Sequence, residues 1–185
     1  SFLPTYDFNE IHTITVQAPP RRVFCAIREL TPTELSPLVH ALFALRALPA
    51  RLSGQRGKGL DDTKPIVEQV LGVSFILLAE ETNREIVLGT IGQFWQTKGG
   101  SVRKPASNAQ EFVAFDQPGY AKAIMNFQVN EDADSVTVTT ETRIHPLDPR
   151  TRAKFAMYWR VIYPGSALIR VMWLRAIKRR AEHGC

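Results

Sequence analysis

The chain has 185 residues, 44% hydrophobic and 22% charged, with a formal net charge of +5 at pH 7. That length buries a core without staples, and the composition excludes a disordered chain, a collagen and a small disulfide scaffold. The richest apolar run, Leu35 to Leu48, is shorter than the roughly 20 residues of a spanning helix and contains His40 and Arg46, which excludes such a helix. Two cysteines, Cys25 and Cys185, make neither a disulfide framework nor a metal spacing, which fits a reducing compartment and a cytoplasmic location. The charge is uneven: residues 146 to 185 hold nine Lys/Arg against Asp148 and Glu182, while residues 1 to 145 hold 14 against 16. A basic segment of this kind can face an anionic membrane, an acidic partner, nucleic acid or simply water.

In chain order, Ile11 to Gln17 alternates and is rich in β-branched residues, which predicts a strand with Ile14 and Val16 on one face and Thr13 and Thr15 on the other. Pro19-Pro20 opens a helix over about 20 to 29, with Val23, Phe24, Ile27 and Leu30 at helical spacing. Thr31 to Ser36 breaks it, Ser36-Pro37 starts a second helix ending near Leu48, and Ser53 to Asp62 reads as a loop. Phe75 to Glu81 and Glu85 to Trp95 form a hairpin across Thr82-Asn83-Arg84, where Asn83 tolerates a positive φ. Thr97 to Asn108 is a polar loop, Glu111 to Phe115 a short strand, and Asp116-Gln117-Pro118-Gly119 a turn. Lys122 to Val129 and Ser135 to His145 make the last hairpin.

Phe155, Trp159, Ile162, Ser166, Ile169, Trp173 and Ala176 then recur at steps of three and four, one stripe of a helix. The stripe keeps its phase across Pro164-Gly165, which predicts a single helix from about Pro149 to Ala181, kinked near Pro164. Arg160, Arg175, Lys178 and Arg179 fall opposite the stripe together with Val161, Leu168 and Val171, an unusually apolar outer side.

This order resembles the START-like, polyketide cyclase and dehydratase (SRPBCC) superfamily with its helix-grip fold. The likeness lies in the opening strand running into APPRRVFCAI, the central hairpins, TETRIHPLD closing the last strand, and the terminal segment FAMYWRVIYPGSALIRVMWLRAIKRRAE. It implies one α+β domain over residues 1–185: a curved antiparallel sheet of about six to seven strands, two short helices after the first strand, and a long C-terminal helix across the concave face. It also implies an apolar ligand between sheet and helix, of lipid, polyketide or isoprenoid type. Some members of the superfamily catalyse cyclisation or dehydration and many only bind or carry.

Aromatic residues available to line such a cavity are Phe94 or Trp95, Phe112 or Phe115, Tyr120, Phe127, Trp159 and Tyr163, with one of each adjacent pair admitted by strand alternation; Trp95 and Phe112 are the expected members of those pairs. Met125 shares the Phe127 face and adapts to a flexible ligand. Plain core packing is the alternative for each. Glu141 and Arg143 share one side of the last strand. Facing a cavity they form a desolvated acid and base pair; facing solvent they are an ordinary surface pair, and the apolar register of Val136, Val138 and Ile144 favours solvent. His12 and His145 have the chemistry of proton shuttles, at strand positions open to exposure. There is no nucleophile constellation and no metal-ligand spacing, so no cofactor and no metal are expected; Gly54 to Gly59 lacks the strand and the Lys-Ser/Thr of a phosphate loop. Three functions follow: carriage of a hydrophobic small molecule, a cyclase or dehydratase using Glu141, Arg143 or a histidine, and docking of the basic C-terminal helix on a membrane or a protein, with a homodimer left open. Nucleic acid is not expected, because the basic residues interleave with aliphatics.

Overall fold

Proline at the first turn, alternation in the strands and a 3.6-residue apolar stripe at the end generate the elements of the computed structural model, which describes residues 2–37, 39, 41, 61–96 and 106–184. Strand β1 (Phe8–Val16) leads into helix α1 (Pro20–Glu29) and a 3-10 turn at Pro32–Glu34. Helix α2 (Ile66–Val73) follows, in a stretch to which the sequence reading assigns no element. The hairpin β2 (Ile76–Glu81) and β3 (Glu85–Gly92) turns at Asn83, whose φ of 66° is the expected left-handed conformation. Helix α3 (Ala109–Ala114), strands β4 (Ala121–Glu131) and β5 (Val136–Pro146) and helix α4 (Pro149–His183) complete the order. The expected second helix and the loop at 53–62 lie almost wholly outside the described residues; Pro37, Val39 and Ala41 are helical.

The strands form one antiparallel sheet in the order β1-β5-β4-β3-β2. Five strands stand where six to seven were expected, and one reason is local: Glu111 to Ala114 is helical rather than extended. Asn108 accepts a hydrogen bond from the Glu111 N–H at 2.9 Å while the Glu111 carboxylate accepts from the Ser107 N–H at 2.7 Å. This reciprocal cap nucleates a turn that the apolar alternation does not reveal. Strand β3 also ends at Gly92, three residues early, because residues 93–96 turn.

Helix α4 packs on β1 and β5 from one side of the sheet, and α3 packs on β2 and β3 from the other. On the inner face, Val16, Ile86, Leu88, Phe127, Val129, Val136 and Val138 join Val23 and Ile27 of α1 and Trp173, Leu174 and Ile177 of α4 in the principal core. On the outer face a second core gathers Leu3, Ile76, Leu78, Val87, Ile91, Ile124 and Phe112. A register shift between Leu77 and Ala79 brings Leu78 against Gly89, where a Cβ would stand 2.7 Å from Leu78 Cδ1, so glycine is needed for the close approach. Helix α4 runs unbroken through Pro164 for 35 residues, about 50 Å at 1.5 Å per residue. No helix among the described residues is long and apolar enough to cross a membrane.

Candidate functional site

Strand pairing fixes which residues meet beneath α4. Glu10 of β1 is paired with Thr142 of β5, and Thr142 with Met125 of β4, so one row of inward side chains crosses three strands. Ser166 and Arg170, one helical turn apart on α4, descend onto this row. Ser166 Oγ donates to Glu10 Oε2 at 3.0 Å, and Arg170 Nη2 donates to Thr142 Oγ1 at 3.1 Å. Glu10, only 4% exposed, binds His12 Nε2 through its other oxygen at 2.7 Å. Arg170 Nη1 reaches the Met125 sulfur, and its guanidinium lies 5.7 Å from the Trp173 ring centre. Burial pushes Arg170 down to about 10, opposed by the nearby Glu10 charge.

This polar row is bounded by two apolar zones. Toward the start of α4, Phe155 is stacked 5.7 Å from Trp159 and contacts Phe8 at 5.0 Å and both Phe94 and Trp95 at 6.3 Å. Tyr163 extends the zone at 5.4 Å from Trp159. Phe94 and Trp95 both reach Phe155 because they sit in a turn and not in a strand, which corrects the expectation that alternation admits one of them. Toward the end of α4, Phe127 packs 5.2 Å from Trp173.

Of the proposed lining residues, Trp95, Met125, Phe127, Trp159 and Tyr163 thus stand on the inner side, at different points along it. Phe112 and Tyr120 do not join them: Phe112 lies in the outer core, and Tyr120 packs against Phe115 at 5.3 Å beside it. Lys122 is buried there too; its Nζ donates to the Val113 carbonyl at 2.9 Å, and desolvation lowers its pKa. Among the acid–base candidates, His12 faces inward. Glu141 and Arg143 stand on the outer face in a two-point pair, both contacts 2.8 Å, with the guanidinium 5.0 Å from the Tyr6 ring. That hydrogen bonding to Glu141 raises the Arg143 pKa. His145 lies on the same face, 3.0 Å from Asp7, which also binds Arg152 at 2.9 Å.

Glu10, Thr142, Ser166 and Arg170 are absent from the sequence candidates, yet two signals point to them. Glu10 and His12 share the parity of Ile14 and Val16; His12 lies within the expected strand, and extending that strand back by three residues turns Glu10 inward as well. Arg170 is four residues after Ser166 and three before Trp173, which puts it on the flank of the buried stripe.

A separate open cleft of about 550 Å³ lies at the other end of the sheet, between the start of α1 (Pro20, Arg21), the β2–β3 turn (Asn83, Arg84) and the end of β4 (Val129, Asn130, Glu131).

These features define an α+β protein whose terminal helix closes over one face of an antiparallel sheet and holds a partly buried polar row between two aromatic zones. No protein-family model matches the chain, and no curated protein matches it in sequence. Among solved structures it is similar to protein MLL2253 from Mesorhizobium loti, at 12% identity over 93% of this chain and 95% of that one, with a TM-score of 0.41. It is similar to hypothetical protein jhp0584 from Helicobacter pylori, at 9% identity over 97% and 92%, TM-score 0.43. A Thalictrum flavum norcoclaurine synthase point mutant in complex with a transition-state analogue is similar at 14% identity over 94% and 93%, TM-score 0.39. These likenesses are distant and assign neither family nor activity to this chain.

Proposed function

We propose that residues 1–185 form one helix-grip domain of START-like (SRPBCC) type that binds or carries a hydrophobic small molecule, of lipid, polyketide or isoprenoid class, between the sheet and α4. One observation carries the reading. Ala123 and Thr142 belong to the interior strands β4 and β5 and point toward the helix side, yet both remain partly exposed. A helix seated flush on the sheet would bury them, as Phe127 and Val138 are buried further along. Apolar walls around a few oriented polar groups are what a small-molecule site requires. The two cysteines, without a disulfide framework, support a cytoplasmic setting for such a carrier.

Native mass spectrometry of the protein as purified, with tryptophan fluorescence during titration by apolar ligands, tests this. Trp159 and Trp173 border the space from opposite ends, so binding is expected to shift their emission. Absence of any bound apolar species together with invariant emission overturns the proposal.

A second reading draws on the outer side of α4. Met157 and Val161 are 73% and 80% exposed and Leu168 is 38% exposed, a row at i, i+4 and i+11 beside the exposed Arg160 and Arg175. This row suits contact with an anionic membrane or a protein, a second copy of the chain included. The cyclase or dehydratase alternative narrows to His12, whose contact with Glu10 gives it the orienting partner an acid–base residue needs.

A further inference from the structure

Among the described residues, no carboxylate touches Arg170 to neutralise its charge. All 18 Asp and Glu residues lie among the described residues, and none forms an ion pair with it. Glu10 acts on it through space only, with its oxygens taken by His12 and Ser166. A guanidinium presents five N–H donors, and those of Arg170 meet one hydroxyl and one thioether, the latter a weak acceptor. Three residues along the same helix face, Trp173 is 7% exposed and its indole N–H has no hydrogen-bond partner. An unmatched cation and an unsatisfied donor in low dielectric are both destabilising. The guanidinium lies 5.7 Å from the Trp173 ring centre and reaches the partly exposed Thr142, and a cation and a donor so close to each other are complementary to an anionic oxygen group with two or more lone pairs.

We propose that the ligand is an amphipathic anion, its carboxylate or phosphate head held by Arg170 and the Trp173 indole N–H and its apolar body lying in the space under α4. This rests on the reading of that space as an apolar pocket. Thr142 flanks the head, and the Phe8, Trp159 and Tyr163 zone offers the body a wall.

Isothermal titration of the full chain with dodecanoate, dodecyl phosphate and dodecanol tests it, using wild type, Arg170→Gln and Arg170→Lys. At least one anion is expected to bind wild type about tenfold or more tightly than dodecanol. The tighter anion identifies the head group. Arg170→Gln should abolish the preference while leaving dodecanol within about twofold, because only the head contact is removed. The melting temperature of the variant is measured alongside, so that any loss of preference is read from folded protein. If the Gln variant does not fold, Arg170→Lys should reduce the preference without changing dodecanol, since an ammonium keeps the charge but not the planar fork. Equal binding of all three probes by wild type, or a preference that survives Arg170→Gln, overturns the anionic head while leaving the pocket intact. Binding of none of the three overturns the pocket reading itself.

Discussion

Asp148 shows how much one side chain can organise here. Its Oδ1 accepts from the backbone N–H groups of Arg150 and Thr151, both at 2.9 Å, and Oδ2 accepts from the Gly119 N–H at 2.6 Å and from the Thr151 hydroxyl. One carboxylate therefore caps α4 and ties it to the turn before β4, where Gly119 has a φ of 88° that favours glycine. The Thr151 hydroxyl and the backbone donors hold its carboxyl down to about 2, below the ordinary 3.8. Because the folded value is the lower one, the stabilisation is complete above about pH 4 and is lost as pH falls through 2. Asp148→Asn removes one acceptor oxygen, so its melting temperature should lie below wild type at pH 7 and converge with it between pH 4 and 2. Thermal melts across that range check this, and a gap that stays constant would contradict it. The residues of the inner row were less legible than the cap. Glu10 and Arg170 look like surface residues by type, and only the partner each meets from elsewhere in the chain makes it otherwise.

At the scale of elements, the terminal helix is the clearest case of a pattern that predicts structure. Its stripe kept phase through Pro164, and the helix indeed continues through that residue. Proline there has no N–H to give the Arg160 carbonyl, and in a helix interior it costs about 3 kcal/mol relative to alanine. Pro164 is exposed, so Pro164→Ala should stabilise the protein by roughly 1–3 kcal/mol in urea unfolding, less whatever the helix gains from its present path. A loss of stability would show that the proline shapes how α4 sits on the sheet. The opposite case is α3. Five residues are too few for a period to distinguish strand from helix, and the decision fell to the Asn108 and Glu111 cap. Phe112 turned outward with that helix, away from the space it was expected to line.

For the whole molecule, the placement of charge and apolar surface separates the two functional readings. Helix α4 buries Phe155, Trp173, Leu174 and Ile177 on one side and leaves Met157, Val161 and Leu168 on the other. If this outer row docks on membranes, the protein should float with liposomes containing anionic lipid and less with neutral ones, since the flanking arginines add attraction that salt screens. Met157→Ser with Val161→Ser should then abolish flotation while the melting temperature stays near wild type, both side chains being exposed. Equal absence of flotation on both lipids removes the membrane reading and leaves the inner site unaffected.

Although α2 and α3 were not, the types of β1, α1, the two hairpins and the long terminal helix, their strand faces and the turn at Asn83 were determined by the sequence alone. Each follows from neighbours within one or two turns of chain: alternation, capping, proline and a 3.6-residue repeat. The tertiary structure decided everything that depends on register between distant segments. Ser166 meets Glu10 across 156 residues and Arg170 meets Thr142 across 28, so a local pattern can set the face each residue stands on but not which residue it meets. Burial and pairing are properties of the assembled faces, and a charged side chain reveals its role only once those faces are brought together.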